Sequence, residues 1–284
     1  MKLGITGASG QMGTALVRHA LTRTASSNLV AITRNVDKLA EVKAQSVEVR
    51  SGDFSNAAGL AAAFQGIDRL VMIPTGDLVP GVRIGQHKTA IEAAAKAGVK
   101  HVIYVSSVSP RPGSNVLLDS HFATEQALIG SGMSWTFLRM SVYMDSLVNA
   151  AKQAAASGTY SAVPGAAAAY ITRDDIAAAA AGLLTSDGHQ GITYHATGTE
   201  SLIQAEVAEA IAKASGKRVA FAEMTAHQQQ EGLVGMGLPP FLVDGIMGFH
   251  SAIRAGAFDL VTHDVERLTG TPAETLEAFL RRSL

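Results

Sequence analysis

Directly behind a short β-branched segment, Lys2–Thr6, three glycines fall within seven residues, Gly7-Ala8-Ser9-Gly10-Gln11-Met12-Gly13, and apolar residues at helical spacing begin at Gln11. Few folds tolerate such a cluster between a first strand and a first helix. Glycine there lets the chain turn sharply and seat the helix against a sheet, and it lets backbone N–H groups approach a bound group closely. The helix N-terminus adds a partial positive charge, so the natural occupant is an anion. The spacing is GxxGxxG rather than GxGxxG, and the triplet alone is a weak signal, the alternative being a structural turn. Its place at the head of a strand–helix series makes it a candidate pyrophosphate loop for a dinucleotide.

The series continues through the first half of the chain. The pattern predicts strands at Lys2–Thr6, Asn28–Arg34, Val47–Ser51, Arg69–Ile73, His101–Ser106 and Ser134–Arg139, with helices at Gln11–Leu21, Val36–Ala44, Asn56–Phe64, Arg83–Ala97 and Leu118–Ile129. Six strands with five crossovers predict an α/β fold, a Rossmann-like doubly wound parallel sheet. After Arg139 only short strand candidates remain, near Tyr160, Tyr170, Tyr194 and Val219, set among helices. The expected organisation is a dinucleotide-binding domain over residues 1–140 and a smaller, mainly helical substrate lobe over 141–284, packed together without a linker. Ser201 and Gln204 suggest a capping box opening a helix over Leu202–Ser215, with Gly216 as its stop. The stretch from Thr225 to Phe258, broken at Pro239-Pro240, reads either as a flap over the site or as ordinary helical packing.

Composition narrows the partners. With no cysteine among 284 residues, disulfides, thiolate metal sites and a cysteine nucleophile are all excluded. The nine histidines show no helical HxxxH pair, so no metal is expected. A net charge of −1 with no basic block argues against nucleic acid. No apolar run reaches membrane-helix length, and Met1 leads into a strand rather than a signal peptide, so no membrane association and a cytoplasmic location are expected. A small molecule is the expected partner.

The end of the second strand separates the two nicotinamide cofactors. A carboxylate there would bond the ribose hydroxyls and repel a 2′-phosphate, but the segment is Ala31-Ile32-Thr33-Arg34-Asn35. Arg34 offers a planar fork suited to phosphate, and Lys38 stands one turn later, either as a second contact or on a solvated helix face. NADPH is therefore expected over NADH. Asp53, after the third strand, is placed either to meet the adenine edge or to cap the following helix. Pro74, Thr75, Ser106 and Ser107 end strands four and five, at the carboxyl edge where ligands of this architecture bind.

With these segments, together with Tyr104-Val105-Ser106-Ser107, His121-Phe122-Ala123-Thr124-Glu125, Leu138-Arg139 and Thr172-Arg173-Asp174-Asp175, the chain resembles the NmrA-like family of atypical short-chain dehydrogenases. It is most similar to the bacterial NADPH:quinone oxidoreductase branch and next to triphenylmethane-dye reductases. The resemblance covers essentially the whole chain and is specific in the cofactor half. It implies that Gly7, Ala8, Ser9, Gly10, Gln11 and Met12 hold the pyrophosphate and Arg34 the 2′-phosphate. It further implies that Pro74, Thr75 and Gly76 meet the middle of the cofactor and that Arg139, Met140, Ser141, Val142, Tyr143 and Met144 pass beside the nicotinamide. A homodimer is the family habit.

Ordinary short-chain dehydrogenases use a Tyr-x-x-x-Lys pair on the fifth helix as proton donor; here the stretch is His121-Phe122-Ala123-Thr124-Glu125, and neither member is present. A missing general acid costs about 100- to 10,000-fold in rate, which weighs against reduction of ordinary ketones or sugar epimerisation. An electron-poor quinone takes hydride readily, so the expected enzyme is an NADPH:quinone oxidoreductase that uses no flavin and places the acceptor ring against the nicotinamide. His121 is a candidate proton source, against a plain role on the cleft wall. Tyr143 is a candidate for ring stacking or proton donation, against core packing, and Ser107 with Ser106 for orienting the amide or the substrate oxygen. Trp135 and the methionines between 224 and 247 are assigned to packing. Two other readings stay open: a dinucleotide-sensing regulator without turnover, and a reductase of imines, dyes or activated alkenes.

Overall fold

Strands β1 (Leu3–Ile5), β2 (Leu29–Thr33), β4 (Arg69–Met72) and β5 (His101–Ser107) are buried along their whole lengths, whereas the edge strand β3 (Glu48–Ser51) is not. Runs of this kind, apolar without alternation, belong to strands covered by helices on both faces. The computed structural model describes residues 1–79, 81–113 and 115–284. Its central sheet is parallel throughout, in the order β3-β2-β1-β4-β5-β6-β8, with β6 at Ser134–Met140. The doubly wound arrangement expected from the sequence is present, and the strand order reverses between β1 and β4, the switch point where a crevice opens beyond the strand ends.

The crossovers of the first half are α1 (Gln11–Leu21), α2 (Ala40–Ala44), α3 (Ala57–Phe64), α4 (Val82–Lys96) and α5 (Val116–Ile129). The segment expected as one helix over Val36–Ala44 divides into a 3₁₀ turn, Val36–Leu39, and the short α2. The Asn35 side chain accepts from Asp37 N at 3.0 Å, and only Leu39 and Val42 are buried, too few to hold a longer helix. One apolar layer, built on Leu60, Phe64, Ala90 and Ala94, fills the face under α3, α4 and α5.

The second half of the chain is not confined to a separate lobe. It runs through α6 (Val148–Ser157), β7 (Thr159–Ala162), α7 (Arg173–Thr185), β8 (Ile192–Ala196), α8 (Gln204–Ser215), β9 (Ala220–Glu223), α9 (Ala226–Gly235), α10 (Pro240–Arg254), α11 (Asp264–Thr269) and α12 (Leu276–Ser283). The strand around Tyr194, expected in the substrate lobe, is the seventh strand of the central sheet and pairs with β6 from Thr136↔Ile192 to Met140↔Ala196. Helix α7 packs on α1 across the other face, where Ile176, Ala180 and Leu184 join the core of the first strands. A third apolar cluster, containing Leu118, Val142, Val207, Phe258 and Leu280, forms the smaller lobe, in which β7 and β9 make a two-stranded sheet.

Two local expectations shift. Helix α8 begins after Ile203, whose N–H donates to Glu206 Oε2 at 2.8 Å, while Ser201 donates to Asp259 instead of capping; Gly216 ends the helix in the left-handed conformation as expected. The Thr225–Phe258 stretch forms α9, none of whose residues is buried, and α10, which starts at Pro240 and buries Val243, Ala252 and Ile253. Among the described residues no helix is long and apolar enough to cross a membrane.

Candidate active site

The glycine loop does what its spacing requires. Gly7 has φ +63°, its carbonyl accepts from Gly10 N at 3.0 Å, and α1 starts at once behind it. A Cβ on Gly13 would lie 2.1 Å from Gly7 O, so only glycine lets α1 approach the loop this closely. No side chain caps the start of α1, which leaves its first N–H groups for an anion from outside. Two bonds tie the loop to the tip of β2: Ala8 N donates to Ile32 O at 3.1 Å, and the Ser9 and Thr33 hydroxyls meet at 2.6 Å. An uncapped helix end above a glycine cradle fits a dinucleotide pyrophosphate.

From this loop a trough runs both ways along the carboxyl edge of the sheet. One arm, about 360 Å³, is lined by Ser9, Thr33, Arg34, Lys38, Asp53 and Gln86. The other, about 520 Å³, is lined by Met12, Ser107, His121, Met140, Ser141 and Tyr143 among others. Gly7, Gly10 and the stretch Ile73-Pro74-Thr75-Gly76 border both, so the two arms are continuous. Gln11 and Val142 also face the second arm. Arg34 and Lys38 are exposed and have no carboxylate partner among the described residues. Asp53 accepts from Ser55 N at 2.9 Å, and the cap of α3 is Asn56, which accepts from Gly59 N at 3.0 Å. The capping role that competed for Asp53 thus falls to Asn56.

Four expected contacts lie outside the trough. Ala8 is fully buried beneath the loop and offers only its backbone. Met144 is packed into the smaller lobe's core. Ser106 and Arg139 both turn to Glu125 under the sheet edge: Ser106 Oγ donates to Oε1 at 2.7 Å, and Arg139 binds the carboxylate through Nε at 2.9 Å and Nη2 at 2.7 Å. Their neighbours in register, Ser107 and Met140, take the cleft side. Successive strand residues point to opposite faces, so only one of each adjacent pair can reach the cleft.

His121 is 3% exposed, and both ring nitrogens are engaged. Arg83 Nη2 stands 3.2 Å from Nε2, and the Tyr104 hydroxyl lies 2.9 Å from Nδ1. A guanidinium only donates, so Nε2 is the acceptor, the proton sits on Nδ1, and the ring is neutral. Burial, with Arg83 and His87 nearby, holds its pKa well below the ordinary histidine value. The expected role as a proton source is not supported by this setting.

Sequence reasoning missed two side chains of α4. His87, fully buried, accepts from Thr75 N at 3.1 Å through Nε2 and therefore donates from Nδ1 to Thr124 at 2.8 Å, which fixes the Pro74–Gly76 stretch. Burial first, and then the charge of Arg83, bring its pKa down to about 3. Arg83 lies one helical turn earlier, lines the second arm and donates to Thr75 O. Their i, i+4 spacing, facing the polar positions 121 and 124 of α5, was the available signal. Arg173 was also missed as a wall residue: its guanidinium sits 4.3 Å above the Tyr143 ring and pairs with Asp145 at 2.8 Å. Burial raises the Tyr143 phenol to about 12, so it stays protonated at neutral pH. Leu117 and Phe249, the latter from α10, complete an apolar side to the same arm.

The chain matches a family described as NAD(P)H-binding over residues 7–187. It is 33% identical to quinone oxidoreductase 2 of Escherichia coli (strain K12), with 96% of each chain covered. It is 30% identical to the NAD(P)H azoreductase of Xenophilus azovorans, covering 98% of this chain and 96% of the other. Among solved structures, the triphenylmethane reductase of Citrobacter sp. complexed with NADP(H) superposes with a TM-score of 0.92 at 30% identity, over 99% of each chain.

Proposed function

Because the chain belongs to the NAD(P)H-binding family of NmrA-like oxidoreductases, we propose that it passes hydride from NADPH directly to an electron-poor ring of the quinone class. The observation that carries the reading is the state of α5. At the two positions that would hold the proton-delivering pair of an ordinary short-chain dehydrogenase, His121 is a neutral acceptor locked between Arg83 and Tyr104, and Glu125 is bound by Arg139 and Ser106. Neither is arranged to hand over a proton during the transfer. Acceptors that need none in that step are favoured, and a quinone, the class named for one relative, is of this kind.

NADPH, when bound, supplies the hydride. Its pyrophosphate fits the N–H groups at the start of α1, and the cationic pair Arg34 and Lys38, at the end of β2 and one turn beyond, suits its 2′-phosphate. Thr75, clamped by His87, and the wall of Ser107, Met140 and Tyr143 would hold the nicotinamide end of the cofactor and position the acceptor beside it. Leu117, Val142 and Phe249 keep water from that side of the arm.

The test is consumption of NADPH, followed by absorbance, with a simple benzoquinone, a naphthoquinone and an aliphatic ketone, and the same with NADH. Rapid turnover with the quinones, none with the ketone and preference for NADPH are expected. Tight NADPH binding with no quinone turnover would defeat the reading and favour a dinucleotide sensor.

A further inference from the structure

A positive charge that no carboxylate pairs at contact distance is buried in the wall of the cleft, with the Asp77 carboxylate acting on it only from farther off. Arg83 is 7% exposed, and its guanidinium donates to two neutral acceptors, the Thr75 carbonyl and His121 Nε2. No carboxylate among the described residues pairs with it, and its Nε has no hydrogen-bond partner. An arginine cannot escape burial by losing its proton, so an unpaired one is costly to keep. The surrounding side chains nevertheless hold it in place. His121 accepts from it and donates on to Tyr104, and His87 fixes the Thr75 segment whose carbonyl it binds. Arg83 lines the same arm as Ser141, whose hydroxyl is also buried without a partner. A fixed guanidinium in the wall of a cavity, with no carboxylate bound to it, suits an oxygen ligand that carries or gains negative charge.

We propose that Arg83 binds the acceptor oxygen that becomes negative during reduction, and thereby selects neutral or anionic oxygen acceptors over cationic ones; this rests on the hydride-transfer reading above. A quinone that takes hydride gains two electrons and one hydrogen. The C4–H bond of the dihydronicotinamide breaks, a bond to hydrogen forms on the acceptor, and NADPH is oxidised to NADP⁺. The acceptor is left as a hydroquinone monoanion, which then takes one proton from water to complete the hydroquinone. A fixed guanidinium beside that oxygen stabilises the transition state more than the neutral ground state. A triarylmethyl cation instead becomes neutral on reduction, so the same charge opposes its entry and gives its transition state no such help. In this arrangement His121 is a positioning residue that holds the guanidinium, not an acid.

The experiment compares the wild type with Arg83→Met and Arg83→Lys, using p-benzoquinone and a cationic triphenylmethane dye as acceptors. NADPH affinity is read by fluorescence, and calorimetry follows binding of 2-hydroxy-1,4-naphthoquinone, an anion at neutral pH, to the protein alone. Arg83→Met should lower kcat/KM for benzoquinone about 100-fold, the scale of losing one oxyanion-stabilising group, with a far smaller loss for the dye and little change in NADPH affinity. Arg83→Lys, which keeps the charge without the fork, should fall between, and it decides the same ratio if the Met variant does not fold. Equal losses with both acceptors would overturn the proposal, as would NADPH affinity falling in step with the rate. If the wild type reduces neither acceptor, the hydride reading fails by itself and calorimetry still decides Arg83. Anion binding about tenfold tighter to the wild type than to the variant supports the subsite, and equal binding removes it.

Discussion

Glu125 and Arg139 face each other across α5 and β6 in a two-point ion pair, Nε to Oε1 at 2.9 Å and Nη2 to Oε2 at 2.7 Å, with the carboxylate almost wholly buried. The pair anchors the end of β6 from which Met140 to Tyr143 enter the cleft. Removing Arg139 leaves the Glu125 carboxylate buried without its counter-charge, so Arg139→Met should cost about 3 kcal/mol of stability, and a double change of Arg139→Met with Glu125→Ala should recover part of it. Denaturant unfolding measures both. A loss below about 1 kcal/mol for the single variant would class the pair with exposed ones.

Arg34 lines the first arm of the trough just past β2, and we propose that it reads the 2′-phosphate that distinguishes NADPH from NADH. Arg34→Ala should weaken NADPH binding by about tenfold, the worth of one charge-assisted contact at an exposed site, and leave NADH binding nearly unchanged. The preference should also shrink as salt rises, because the site is open to solvent. Dissociation constants for both nucleotides at low and high salt give the answer, and an equal loss for the two would remove Arg34 from the phosphate.

Three buried histidines set the acid limit. Burial lowers His87 to about 3, His101 to about 4, and His121 well below its usual value. Each is neutral in the fold, yet in the unfolded chain each takes up a proton below about pH 6.5. The unfolded state then binds more protons than the folded one, so stability is complete above that pH. It falls as pH drops through the window down to the folded values, by about 1.4 kcal/mol per pH unit for each histidine. Unfolding free energies near pH 7 and pH 5 should differ accordingly, with a smaller difference in His87→Asn. A flat profile would mean that these rings are already charged in the fold. Quinone reduction should show no ionisation of His121 across neutral pH.

The strongest sequence signals came from elements whose chemistry is local. A glycine loop between a strand and a helix, continuous apolar runs and well-spaced helix faces placed β1 to β6 and α1 to within a residue or two. What escaped depended on partners far along the chain. β8, partly exposed along most of its length, lacks the uninterrupted apolar run of a central strand, so nothing local marked it as sheet rather than lobe. Ser106 was expected in the cleft from its place at a strand end and Arg139 from the family resemblance, but the pleat turns both beneath it while Ser107 and Met140 face it. Arg83 and His87 sit on a helix with a polar stripe, and only the packing of α4 on α5 shows that the stripe is buried. Arg34 needed no such information, because its position past β2 already set its direction.

The return of the chain to its own central sheet bears on how the protein can be divided. Helix α7 covers α1, sends Asp174 to His19 at 3.1 Å and places Arg173 over Tyr143, while β8 shields the flank of β6. Severed at residue 140, the leading half would keep six strands but expose the apolar surface that these two elements cover. The core of the sheet draws on residues from Leu3 to Ala273, so a chimaera that exchanges only the dinucleotide-binding half would inherit an open wound in its sheet. Exchange of single side chains lining the trough leaves that shared sheet intact, whereas exchange of halves does not.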